Sequence, residues 1–253
     1  MRERALTWSL FAFLAVLIVF PLFVVFLLSV VPRWSTAFPS EFSLQWWVKL
    51  FEPMFLQSIY NTVIISVAAT ALTVAYAVLA SYIFLYYEFK GKRLLFTLML
   101  APTYVAGTVL ALGLLTAYPS IRNTFWIMLL AHFTIVSPLA FKTVHASMRK
   151  IPSSLVEASY SLGSNRLNTF QRVIVPLTRQ GILSATVLGM GMNVSELSVS
   201  IMVYGADWIT IPIRIYLERN WGILGIAGVL STLLILFAIA STVSANRFGG
   251  NND

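Results

Sequence analysis

The chain has 253 residues, of which 58% are hydrophobic and 10% charged, with a net charge of +8, no cysteine and two histidines. Charged residues approach a quarter of an ordinary soluble domain, so the composition excludes that class, and a mean hydropathy of +0.84 spread over several apolar runs argues for many membrane spans. Disulfides, thiolate chemistry and thiolate-held metals are excluded, His132 and His145 are too few and too far apart to form a metal cluster alone, and the positive charge reads as membrane orientation, with no nucleic acid partner.

In chain order, runs long enough to cross about 30 Å of hydrocarbon occur at about 7–31, 59–86, 94–118, 123–141, 180–204 and 222–245. The first is too long for a signal-peptide core and lacks a small-residue cleavage site, so it reads as a retained helix. This predicts an all-α membrane protein of about six transmembrane helices, a single membrane domain over 1–253. With the N-terminus inside, twelve of the 17 Lys and Arg residues fall in cytoplasmic segments and five outside, which places both termini in the cytoplasm. The first outer segment, about 32–58, carries Pro32, Pro39 and Pro53 with Trp34, Trp46 and Trp47, and reads as an interfacial loop with a short amphipathic helix. Small residues at Ser66, Thr70, Ala71 and Ala75 in the second span, and at Gly225 and Gly228 in the sixth, predict close helix packing. Pro102, Gly107 and Pro138 interrupt the third and fourth spans.

The one sizeable cytoplasmic segment, about 145–178, is too long and too patterned for a turn. Pro152 and Ser154, with Glu157 three residues after Ser154, predict a capping-box helix start, and Gly163 predicts its left-handed exit. Ser164 or Asn165 then caps a second short helix, which Pro176 ends. Leu155, Leu162, Leu167 and Phe170 are candidate anchors for a helix-in-groove contact, and Glu157 either pairs with a basic partner or only caps its own helix. No phosphate-cradling loop exists in the chain, since Gly91-Lys92 is followed by Arg93 and lacks the earlier glycine.

Glu157-Ala158-Ser159, Gly163 and then Val173, Val175 and Pro176 resemble the "EAA" loop of the binding-protein-dependent ABC transporter permeases of bacteria and archaea, with the best local match to the polyamine, ferric-iron and phosphonate types. Val173, Val175 and Ser159 depart mildly from the pattern. The resemblance implies a type I ABC importer transmembrane domain whose loop (Glu157, Ala158, Ser159, Leu162, Gly163, Leu167, Phe170, Pro176) docks on a cytoplasmic ATPase. It further implies a second permease chain, identical or homologous, an extracytoplasmic solute-binding protein and an ATPase dimer that binds ATP and Mg; this chain holds no cofactor and is not itself an enzyme. The expected location is the plasma or inner membrane.

Inside the membrane, Glu196 of the fifth span is a costly charge that reads either as part of a translocation pathway or as the partner of a polar group on a neighbouring helix. Asn193, three residues earlier, and Ser200, one turn farther on, extend its face into a possible polar stripe. Asn61 reads as a pathway residue or a helix cap, and His132 as an interhelical hydrogen-bonding group. The outer segment from Gly205 to Arg219 reads as a re-entrant gate or docking surface, or as an amphipathic interfacial helix. The competing reading of the whole chain is a secondary transporter or channel driven by an ion gradient, which calls for paired intramembrane charges or an inverted repeat that the sequence lacks.

Overall fold

The computed structural model describes residues 2–32 and 41–249, which form helices and no strand. Arg33, Trp34 and Pro39 lie outside the described residues. Four helices are long and apolar enough to cross a membrane unaided: α1 (Arg2–Val30, apolar over Thr7–Val30), α3 (Pro53–Tyr86), α6 (Phe125–Met148) and α13 (Leu224–Gly249, apolar over Leu224–Ser241). Two bent pairs of helices pass the same test and bring the total to as many as six if each pair is one span. One joins α4 (Lys92–Leu100) to α5 (Gly107–Ala117) with a 113° bend. The other runs through α8 (Arg166–Thr169), a π turn at Phe170–Ile174 and α9 (Val175–Leu177), then turns by 67° into α10 (Arg179–Ser195).

Each break has a local cause. Pro102 sits in a tight turn, Ala101–Tyr104, and Val105 leaves it extended, with φ −107° and ψ 134°. Gly107 then starts α5 against the chain at Ser198, where an added Cβ would come within 2.9 Å of the serine Cβ. Pro138, by contrast, is held inside a continuous α6. Pro176 marks the end of its helical run as the sequence predicts, since the run stops one residue later at Leu177 before the turn into α10. The preceding turn widens from α to π, which accommodates a proline that has no N–H and crowds the carbonyl four residues back.

The residues pack as two compact units. Unit 1 comprises Met1–Ile59 and Ile211–Phe237. In it the Trp46 indole of α2 (Gln45–Lys49) donates to the Val31 carbonyl at 3.0 Å, closing the exit from α1. Gly225 gives its place to the Trp46 ring, and Gly228 lies against the backbone of Leu28 and Ser29, so both glycines serve the close approach their size predicts. Phe55, Ile211, Ile226, Val229 and Leu230 form its core. α12 (Ile211–Asn220) is not the exposed interfacial helix that was one reading of this segment, because Ile211, Pro212, Ile213, Arg214 and Glu218 are all buried. Arg214 Nε donates to Ser58 Oγ at 3.3 Å and its guanidinium lies 5.9 Å from the Phe55 ring centroid, which makes burial of the cation tolerable.

Unit 2 comprises Tyr60–Thr210 with Ala238–Asp253. Its most extensive helix contact is α6 along α10, where Gly181 packs on Ser147 and Gly189 on Val136. The small-residue face of α3 is rotated from the one the sequence predicts: Ser66 and Thr70 are buried together with Ala69, Thr73 and Ala77, while Ala71 and Ala75 are exposed. An aromatic and aliphatic cluster of Phe84, Phe141, Val144, Met148 and Val156, with Phe96 and Phe170 against it, fastens the next elements to the end of α6.

Candidate functional site

The segment after α6 is two short helices set at a fixed angle. α7 (Ser153–Ser161) has Pro152 as its N-cap, with no side-chain capping bond, so the predicted capping box of Ser154 and Glu157 does not form. Proline lacks an N–H where none is needed, and this is enough to start the helix. Glu157 is therefore exposed and free of a capping duty. Gly163 behaves as predicted. Its φ is +85°, its N–H donates to the Tyr160 carbonyl at 2.9 Å, and the Ser164 N–H donates to the Ser159 carbonyl at 3.1 Å, the paired bonds of a Schellman stop. Asn165 then caps α8 by accepting the Asn168 N–H at 2.8 Å.

Four contacts hold this elbow. Val156 buries the inner face of α7. Ser159 Oγ meets the buried Thr169 Oγ1 at 3.0 Å, tying α7 to α8 through the position at which the sequence departs from alanine. Phe170 packs on Tyr82 with ring centroids 4.7 Å apart, so its ring faces the bundle. Arg166 sits 5.1 Å from the Tyr87 ring centroid, and its hydrogen bond holds the Tyr87 phenol below its ordinary pKa. What remains outside is an apolar ridge: Leu155 is 46% exposed, Leu162 88% and Leu167 62%, with Glu157, Ala158 and Pro176 also exposed.

The second constellation is buried in unit 2. Asn193 Oδ1 lies 3.1 Å from His132 Nδ1, Ser200 Oγ lies 3.0 Å from His132 Nε2, and Asn193 Nδ2 donates to Thr70 Oγ1 at 3.0 Å. His132 is the interhelical hydrogen-bonding group that the sequence predicts, and it joins α3, α6, α10 and α11 (Ser200–Val203). Asn193 and Ser200 are nearly inaccessible and line no open face of this chain. The predicted stripe fails because α10 ends at Ser195. Glu196 is extended, with φ −71° and ψ 120°, and turns its Oε1 onto the Val199 N–H at 2.9 Å. Glu196 remains half-buried. Asn61 is buried within α3 and does not cap its own helix; its side-chain amide donates to the carbonyls of Asp207 and Ile209 at 2.8 and 3.1 Å, pinning the segment that precedes α12. The His132 hub was legible only as a need, since a histidine in an apolar span must find partners; the cap made by Glu196 was signalled by its place three residues before Val199. Among the described residues no cluster of histidine and carboxylate groups can hold a metal ion.

Two relatives bear on this arrangement. The chain is 29% identical over 220 residues to the spermidine/putrescine transport system permease protein PotC of Haemophilus influenzae, covering 84% of each chain. It is 23% identical over 231 residues to a protein of Salmonella paratyphi A named for a 2-aminoethylphosphonate transport system permease, PhnV, covering 90% of this chain and 87% of the relative. The chain is a homologue of ABC importer permeases. The permease also shares its fold with a chain of a bacterial alginate ABC transporter, solved in complex with a periplasmic protein that holds an alginate pentasaccharide. That likeness has a TM-score of 0.73 at 18% identity and covers 97% of this permease and 95% of the other chain. No family model matches the permease. The resemblances and the helical structure make it a multi-pass transport subunit of the inner membrane, and nothing in them supports an ion-gradient transporter or channel.

Proposed function

We propose that this permease couples solute passage to a separate ATPase through the elbow of α7 and α8. The observation that carries the reading is the exposed ridge of Leu155, Leu162 and Leu167 on a pair of helices locked by Gly163, Asn165 and the Ser159–Thr169 bond. Such a ridge suits a groove in a partner, with Glu157 free to pair with a cation there. In this reading ATP and Mg belong to an ATPase dimer, both termini and the elbow face the cytoplasm, a second permease chain completes the path, and an extracytoplasmic binding protein delivers solute. Glu196 is the pathway residue of the four candidates, while Asn193, Ser200 and Asn61 position the helices that frame it. The chain has no cysteine, so Leu162→Cys offers a single thiol for cross-linking. A cross-link to the ATPase subunit is expected from Leu162→Cys and not from Leu224→Cys at the start of α13; equal yields from the two positions overturn the assignment.

A further inference from the structure

A cleft of about 650 Å³ opens in unit 2 between the end of α3, the start of α4 and the end of α6. Its floor is aromatic: Phe84 and Phe96 stack edge to face at 5.5 Å, and Phe96 meets the His145 ring at 5.5 Å. Its rim is cationic, with Lys92, Arg93 and Arg149 against the single carboxylate of Glu88. Lys92 is committed locally, since its Nζ lies 2.7 Å from Glu88 Oε1 and 3.0 Å from the Tyr87 carbonyl. Arg93 and Arg149 are exposed and have no ion-pair partner among the described residues. His145 Nδ1 is buried and without a hydrogen-bond partner among the described residues. Beside the cleft, α4 presents Leu94, Leu95 and Leu98 to the outside, 66%, 46% and 55% exposed.

We propose that this cleft holds the phosphate of an anionic phospholipid of the cytoplasmic leaflet. Two unpaired guanidinium groups match phosphate oxygens in charge and fork geometry. The aromatic floor and the adjoining leucines of α4 suit the glycerol and acyl portions, which separates a lipid from a free anion that would need only the rim. The proposal rests on the cytoplasmic placement of the end of α6 and is independent of what docks on α7.

The test is native mass spectrometry of the full chain released from nanodiscs containing equal phosphatidylglycerol and phosphatidylcholine. Wild-type chain is expected to retain phosphatidylglycerol in preference to phosphatidylcholine. The double variant Arg93→Gln/Arg149→Gln is expected to lose that retention by about tenfold or more, the order set by removing two cations near an anionic surface. Lys150→Gln, an exposed cation outside the cleft, is the control and should change nothing. Arg149→Gln alone serves if the double variant fails to fold. Equal retention of the two lipids, or unchanged retention in the variants, overturns the proposal. So does release of the lipid by millimolar inorganic phosphate, which marks a free-anion site, or release by added ATPase subunit, which marks a protein interface. Because lipid retention is read on the permease alone, its failure leaves the Leu162→Cys cross-link standing, and loss of the cross-link leaves lipid retention standing.

Discussion

His132 of α6 and Asn193 of α10 are joined at 3.1 Å inside unit 2, and through the other atoms of these two side chains Thr70 and Ser200 are drawn into the same knot. All four groups are buried, so each depends on the others for hydrogen bonding that water cannot supply.

Replacing Asn193 by Leu removes the acceptor for His132 and the donor to Thr70 together. The expected cost is about 1–3 kcal/mol, because two buried polar groups lose a partner. Thermal denaturation in detergent should show a clear fall in Tm for Asn193→Leu and a smaller one for Ser200→Ala, which removes one contact. Equal Tm in wild type and Asn193→Leu contradicts the knot.

At Glu196 the structural and transport roles separate by chemistry. Gln keeps an oxygen to accept the Val199 N–H, whereas Ala removes it. Glu196→Gln is expected to retain the wild-type Tm and to reduce uptake. Glu196→Ala should also lose about 1 kcal/mol of stability, the usual worth of a cap. Wild-type uptake in Glu196→Gln removes the carboxylate from the pathway.

Glu218 supplies a pH test for unit 1. Burial raises its pKa above the ordinary value; Arg214 and Lys49 pull it down and Glu52 pushes it up. Its Oε1 has no hydrogen-bond partner among the described residues, and Arg214 is 3.9 Å away. With the folded pKa raised, the unfolded chain gives up this proton more readily. Its contribution is therefore most favourable below the unfolded value of about 4.3 and is lost as pH rises through the folded pKa. Glu218→Gln is expected to raise Tm at pH 8, with the gain shrinking toward pH 4. A gain that grows on acidification reverses the sign and refutes the account.

Much of this was legible in the sequence. Six apolar runs marked the four long helices and the two bent pairs, and Gly163 announced a left-handed exit because few other residues accept φ +85°. The breaks were harder to read. Hydropathy is blind to the end of α10 at Ser195, since the residues beyond it are as apolar as those before, and only the packing of Gly107 on Ser198 shows where the chain turns. Helical spacing assigned Asn193, Glu196 and Ser200 to one stripe on the assumption of an unbroken helix; once the helix stops, Glu196 swings away and the other two converge on His132. The burial of α12 was illegible for a related reason, because nothing in the local sequence shows that Ser58 and Phe55 receive the Arg214 guanidinium.

The most direct test of coupling through the elbow is Gly163→Val in proteoliposomes holding the complete importer, with ATP hydrolysis and solute uptake measured side by side. Nothing crowds an added Cβ, so the substitution acts through the backbone, where a left-handed residue costs about 1–2 kcal/mol and turns α7 away from α8. The account predicts that assembly and hydrolysis persist while uptake per ATP falls sharply. Uptake per ATP equal to that of the wild type would contradict it.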